Sequence, residues 1–289
     1  MRGVYTAIIT PFTDDGKIDF TVLERLIAFQ QERGVAGIVV GGTTGEATTL
    51  SFDEKRELYR FVRGQARNLD LIAGTGTNNT AESVKLTEMA VDLGYRHVLA
   101  VTPYYNKPTC KGLIKHYREI ARTGVRIVLY HVPGRTGLTL PPTWLKELAE
   151  IPEIVAIKEA SGNMVLFADY LEAVGPGRFA MLSGDDFTIV PFLALGGRGV
   201  ISVLSNILPG ETVSLVESAL AGDFSKAADL QIKLNSLIRT LFIESNPIPV
   251  KTALSLMGYC REVFRLPLAP MEEKTRTVLI ETLKRYGLL

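Results

Sequence analysis

The sequence predicts an α/β fold, a (β/α)8 TIM barrel with a C-terminal helical appendix. Three observations point there. Short apolar runs rich in β-branched residues recur eight times, each the length of a strand buried on both faces in a parallel sheet. Amphipathic segments of helical period lie between them over roughly 220 residues, the alternation that builds βα units. After the eighth run only helical periodicity remains. A doubly wound open sheet is the structural rival, but eight regular units favour closure.

In chain order the strands are expected at 5–10, 36–41, 71–74, 97–102, 126–132, 154–158, 179–183 and 199–203. Between them, Leu23, Leu26 and Ile27 share one helical face, as do Val84, Leu86, Met89, Ala90 and Leu93 more loosely. Ser51 with Glu54 three residues on has the form of a capping box. Helices are expected at 223–243, 250–259 and 271–286, the first two separated at Asn246-Pro247-Ile248-Pro249. The expected division is a catalytic barrel over 1–222 and a helical region over 223–289.

Bulk properties exclude several function classes. The 289 residues are 46% hydrophobic and 22% charged, with a formal net charge of +1, as in soluble globular proteins. That charge leaves no basic field for nucleic acid or a membrane surface. No apolar run approaches a transmembrane helix. The N-terminus runs straight into a strand pattern and lacks a signal-peptide layout. Cys110 and Cys260 belong to no metal or redox spacing, so a reducing cytoplasm fits. His97, His116 and His131 form no ligand spacing, and the expectation is no metal.

The chemistry centres on Ile154-Val155-Ala156-Ile157-Lys158-Glu159-Ala160. Alternation along a strand puts Ile154, Ala156 and Lys158 on one face and Val155, Ile157 and Glu159 on the other. Desolvation favours the neutral form of such a lysine, and a neutral amine attacks carbonyls. The plainer alternative is a lysine that snorkels from the strand end to water.

Active sites of such barrels lie at the C-terminal strand ends. The second strand ends in Gly41-Gly42-Thr43-Thr44-Gly45-Glu46, whose backbone N–H groups and two hydroxyls suit a carboxylate; an ordinary tight loop is the alternative. The third ends in Gly74-Thr75-Gly76-Thr77-Asn78-Asn79, a dinucleotide-like opening in which Asn79 takes the place of the third glycine, a weak signal. Tyr104 and Tyr105 follow the fourth strand and point different ways, one to pack, the other to reach a site or a neighbouring subunit. Tyr130 lies near the end of the fifth strand as Lys158 does on the sixth, and neighbouring strands are about 4.8 Å apart. A phenol beside an amine can move protons during imine formation. Arg135 on a Gly-flanked loop offers a fork to a carboxylate, or is a surface arginine.

Two rival chemistries weaken on the same residues. A sugar-phosphate aldolase needs a phosphate nest after strands seven and eight. Gly196, Gly197 and Gly199 instead precede strand eight. A glycosidase needs two carboxylates across the site, with Glu46, Glu159 and Asp185 as candidates, but no acid ends strand four.

These motifs, with Thr102-Pro103-Tyr104-Tyr105-Asn106, Val132-Pro133-Gly134-Arg135-Thr136-Gly137, Ser183-Gly184-Asp185-Asp186, Gly199-Val200-Ile201-Ser202 and Asn246-Pro247-Ile248-Pro249-Val250-Lys251, run in the same order along the whole chain. Together they resemble the dihydrodipicolinate synthase family of pyruvate-dependent Schiff-base lyases. The Gly-Arg-Thr-Gly run separates that family from sialic-acid lyases and sugar-acid aldolases. The resemblance implies that Lys158 forms an imine with pyruvate and Tyr130 exchanges protons. It implies that Thr43 connects Tyr130 to Tyr105 of the partner subunit. Thr44, Gly184 and the backbone of Ile201 would hold pyruvate, and Arg135 the carboxylate of aspartate 4-semialdehyde. The product is 4-hydroxy-tetrahydrodipicolinate, on the route to diaminopimelate and lysine. The implied assembly is a homotetramer built as a dimer of dimers, without metal or organic cofactor.

Two departures stand out. His131 replaces the family's usual asparagine and is expected to pack on the outer face of strand five. Asn78, Glu82 and Tyr104 match the family's lysine-effector site, whereas Ala47, Phe52 and Lys55 do not, so feedback by lysine is expected to be weak or absent. The alternatives are a sister lyase acting on a 2-oxo sugar acid and, in another class, a non-catalytic barrel used for binding.

Overall fold

A computed structural model describes residues 1–175 and 177–289. Among these residues, eight parallel strands close into a barrel in chain order, β1 pairing with both β2 and β8. The strands are β1 Gly3–Ala7, β2 Gly37–Val40, β3 Asp70–Gly74, β4 His97–Val101, β5 Arg126–His131, β6 Ile154–Glu159, β7 Ala180–Ser183 and β8 Gly199–Ser202. The helices are α1 Phe20–Glu32, α2 Phe52–Gln65, α3 Thr80–Asp92, α4 Cys110–Ala121, α5 Pro133–Thr136, α6 Pro142–Leu148, α7 Met164–Val174, α8 Ile189–Ala194, α9 Pro209–Leu220, α10 Phe224–Leu241, α11 Ile248–Leu256 and α12 Glu273–Arg285. The expected TIM barrel with C-terminal helices is the observed fold.

Strand alternation separates two cores. Inward residues from every strand, among them Tyr5, Val39, Ile72, Leu99, Val128, Ala156, Leu182 and Ile201, fill the barrel. Outward residues join the helices in one larger core that also takes in Leu237, Ile238 and Leu241 of α10 and Leu279 and Leu283 of α12. Ser51 and Glu54 form the expected capping box on α2.

Three expectations shift. The first strand begins at Gly3, opposite Gly199, and ends at Ala7. Beyond it the backbone leaves the ladder: the Ile9 N–H donates to Asn206 Oδ1, and Asn206 Nδ2 donates back to Ala7 O. The second C-terminal helix starts at Ile248, because Pro249 falls in its first turn, where a missing N–H costs nothing. Ile154 does not share a face with Ala156 and Lys158. Ile127 pairs with Ile154 but Val128 with Ala156, so β6 carries one extra residue. Such a bulge resets the alternation; Ile154 joins the outer core, and only Ala156 and Lys158 stay inward.

The C-terminal region is tied to the loop after β2 by a buried ion pair. Lys251 Nζ lies 2.6 Å from Glu46 Oε1, both side chains fully buried. Burial draws the Lys251 pKa down, and the Glu46 charge opposes it. The Arg265 N–H donates to Glu46 Oε2, and its guanidinium spans both Glu54 oxygens. Arg265 and its hydrogen bond hold the Glu54 carboxyl down at about 2.

Removing one partner of a buried pair strands the other charge, so Lys251→Met is expected to cost about 3–5 kcal/mol. The double variant Glu46→Gln/Lys251→Met should recover most of that loss; urea-denaturation midpoints of the three proteins check it. His116 gives a pH dependence. Burial draws its pKa down to about 4; its Nδ1 meets Thr80 Oγ1, and its Nε2 has no partner among the described residues. The unfolded chain therefore takes up this proton first as pH falls. Its contribution is complete above pH about 6.5 and shrinks toward pH about 4, by on the order of 3 kcal/mol. In His116→Asn the fall in unfolding free energy between those pH values should be correspondingly shallower.

Candidate active site

Parallel register builds the centre of the site. Tyr130 on β5 and Lys158 on β6 are cross-strand partners. Both are buried, and Lys158 Nζ lies 4.3 Å from the centroid of the Tyr130 ring. Among the described residues no carboxylate pairs with Lys158. Gly184 explains the room its side chain has. A Cβ there would come within 2.9 Å of Lys158 Cε and 2.7 Å of Ala160 Cβ, so only glycine lets β7 close on the lysine stem.

A cavity of about 430 Å³ opens beside Tyr130. Thr43, Tyr130 and Arg135 line it together with Glu82 and Tyr104. Lys158, Gly184, Thr44 and Ile201 are not on its wall; Lys158 rests against the face of Tyr130, and Ile201 fills the barrel interior. Asn78 is also off the wall and anchors Asn106 through its carbonyl. The two tyrosines after β4 diverge as expected. Tyr104 is half-buried, while Tyr105 is 90% exposed with φ of 68°. The loop after β3 is structural: at Gly76 a Cβ would meet the Val101 backbone N at 2.3 Å, so its glycine serves the approach to β4.

Sequence reasoning missed Asn246 as a site residue. Its Nδ2 donates to Thr44 Oγ1 at 3.0 Å, and its carbonyl accepts from Arg135 Nη2 at 2.9 Å. One residue of the C-terminal region thus holds both expected carboxylate binders. Because Thr44 Oγ1 accepts from Asn246, its own proton is free for a substrate carboxylate. Asn246 Oδ1 has no hydrogen-bond partner among the described residues. The signal in the sequence was an asparagine, a turn-former, before a proline that opens a buried helix.

The acids are already engaged. Glu46 is paired with Lys251, and Glu159 points outward to His131. Asp186 Oδ2 accepts the Val203 and Leu204 N–H groups at 2.9 Å, fixing the end of β8, and burial pushes its pKa up. Burial also raises Asp185, with the Glu159 charge adding to it. No two free carboxylates face each other across the cavity among the described residues, which removes the glycosidase arrangement. Nor do the described residues contain a group of three or more His, Cys, Asp or Glu able to hold a metal ion. No helix of the described residues is long and apolar enough to cross a membrane.

The site sets an amine against a phenol in the barrel, beside a cavity that Arg135 helps to line, and known proteins are similar to this chain along its whole length. A family model described as the dihydrodipicolinate synthetase family matches residues 1–286. A protein named 4-hydroxy-tetrahydrodipicolinate synthase from Maridesulfovibrio salexigens is 45% identical, covering 100% of this chain and 99% of its own length. The crystal structure of dihydrodipicolinate synthase from Aquifex aeolicus superposes with a TM-score of 0.97 at 42% identity, covering 100% of this chain and 99% of that one. The chloride-inhibited enzyme from Acinetobacter baumannii, solved with pyruvate, gives 0.96 at 43% identity, with coverage of 100% and 99%. The chain belongs to the dihydrodipicolinate synthetase family.

Proposed function

We propose that this chain condenses pyruvate with L-aspartate 4-semialdehyde through an imine on Lys158, giving 4-hydroxy-tetrahydrodipicolinate for diaminopimelate and lysine biosynthesis in the cytoplasm. The observation that supports it most is the cross-strand pairing of Tyr130 with Lys158, amine against phenol. The Lys158 amine adds to the keto carbon, and Tyr130 passes a proton to the carbinolamine oxygen, which leaves as water. Loss of a methyl proton gives the enamine, whose carbon attacks the aldehyde. The product amine then displaces Lys158 as the ring closes, returning the free lysine.

The remaining roles are those that the family resemblance implies. Thr43, on the cavity wall, relays protons between Tyr130 and Tyr105 of the partner subunit. Thr44, Gly184 and the Ile201 backbone hold pyruvate; Arg135, anchored by Asn246, takes the semialdehyde carboxylate. Residues 1–222 act as the catalytic barrel and 223–289 as its brace. A homotetramer, a dimer of dimers, is supported by the exposed Tyr105 and by exposed Val165, Leu195 and Ile232. These last three lie on or beside α7, α8 and α10, and α8 packs against both of the others.

Borohydride reduction with pyruvate, followed by peptide mapping, tests the mechanism. An adduct on Lys158, absent from Lys158→Ala, is expected. An adduct without turnover of aspartate semialdehyde would point to a sister lyase acting on a 2-oxo sugar acid. No adduct on folded protein would leave the non-catalytic barrel.

Regulation is expected to differ from that of lysine-inhibited relatives. Lys55 is buried on the cavity wall near Glu82 and Tyr104, and its pKa is lowered by burial against the charge of Glu82. Its amine fills space that the ammonium of a lysine effector would need, and repels it when charged. Activity is expected to persist in millimolar lysine; a fall to a small fraction would overturn this.

A further inference from the structure

The outer face of the β5–β6 pair carries a second polar set that the cavity never sees. His131 and Glu159 pair across the strands one step beyond Tyr130 and Lys158. Each is the chain neighbour of a candidate catalytic residue, turned the opposite way. Their side chains are 0% and 3% exposed. His131 Nε2 accepts the Leu140 N–H at 3.1 Å, so that nitrogen bears no proton. The proton sits on Nδ1, 3.2 Å from Glu159 Oε1. Glu159 Oε1 also accepts the Ser161 N–H at 2.8 Å. Tyr170 closes the set from α7: its hydroxyl donates to Leu140 O at 2.6 Å, lies 3.4 Å from His131 Nδ1, and its ring meets the imidazole edge-on. Burial raises the Tyr170 pKa, and the Glu159 charge adds to it, so the hydroxyl stays a donor.

We infer that His131 is a positioning residue for the imine chemistry: its Nδ1–H bond to Glu159, braced by Leu140 and Tyr170, sets the Tyr130 phenol against the Lys158 amine. The inference rests on the reading of Lys158 as the imine-forming residue. The physical need comes from the bulge at Ile154–Val155, which breaks the β5–β6 register at the entry of β6. Pairing resumes at Val128–Ala156, so the catalytic pair stands on a ladder of only four residue pairs, and the His131–Glu159 tie closes its far end. Backbone bonds run on past the catalytic pair, the Ala160 N–H donating to His131 O at 2.9 Å. They fix strand spacing, whereas the side-chain tie fixes the twist of each strand about its own axis. That twist decides where Tyr130 and Lys158 point, because they project from the same backbone in the opposite direction.

The test compares wild type, His131→Leu/Glu159→Leu, His131→Asn and Tyr170→Phe. The double variant leaves no buried charge unpaired, so it separates positioning from loss of fold. Rates are normalised to folded protein measured by circular dichroism. A displacement of about 1 Å in a reacting group costs up to about 100-fold. Expected for the double variant is a roughly 10- to 100-fold fall in kcat, with KM for pyruvate within about 2-fold and a matching fall in the rate of borohydride-trapped adduct. His131→Asn restores a donor to Glu159 and should recover most of kcat. Tyr170→Phe, which removes a single hydroxyl, should show a smaller fall in the same direction. Wild-type kcat in the double variant overturns the inference and leaves His131 as packing; should that variant not fold, wild-type kcat in Tyr170→Phe does so. Absence of any adduct in the wild type refutes instead the imine reading on which it rests.

Discussion

The Glu46–Lys251 pair is the constraint that joins the two parts of the chain. Glu46 ends the loop that bears Thr43 and Thr44, and Lys251 belongs to α11, far along the sequence. A fully buried pair is dear to desolvate and tolerates no mismatch in geometry. Phe12 and Phe264 flank the Lys251 ammonium, with Nζ 4.1 Å and 5.2 Å from their ring centroids, a setting that suits a cation deprived of water. Once Lys251 is fixed on Glu46, the stretch before α11 has little freedom. Asn246 is then delivered to Thr44 on one side and Arg135 on the other. The rim of the cavity is therefore a consequence of how the C-terminal region docks.

The barrel wall itself divides labour between its two faces. Inside, Tyr130 and Lys158 meet in an environment of apolar residues. Outside, the next residue along each strand, His131 or Glu159, is bound into a network with α7 and the chain before α6. Alternation makes this division unavoidable: a residue added to or removed from either strand would swap the faces. The bulge in β6 shows how close that hazard lies, since its extra residue, Val155, stands only three positions before the lysine. Gly184 from β7 completes the arrangement by closing on the methylenes of Lys158, limiting the conformations its amine can take.

Much of this was legible in the sequence, and the exceptions have physical causes. Eight apolar runs and their intervening periodicity announced the barrel, because buried parallel strands and amphipathic helices are set by local pattern. The pairing of Tyr130 with Lys158 was legible too, since both stand near the ends of adjacent strands. The bulge was not: Ile154 and Val155 are both apolar and fit either face, so nothing local reveals the extra residue. Asn246 was hidden for a different reason. Its importance comes from two bonds to residues more than a hundred positions away, which no spacing rule reports. Glu46 and Glu159 looked like free acids in a list of strand ends, and only their long-range partners show them to be spoken for.

Tyr105 leads beyond the single subunit. A tyrosine held at φ of 68° pays for a conformation that side chains with a Cβ rarely adopt, usually where the surroundings or a function demand it. Within one subunit the conformation gains almost nothing, for the ring is 90% exposed and lies off the cavity wall. Its neighbours are well anchored: Asn106 Nδ2 donates to Asn78 O, and Tyr104 lies half-buried against the cavity. The loop thus holds the ring outward on a firm base rather than leaving it to wander. An aromatic ring held out from a fixed base is a common form of interface anchor, filling a pocket on another molecule with little loss of side-chain entropy. The partner proposed above for this loop is a second copy of the chain, whose Thr43 lines an equivalent cavity.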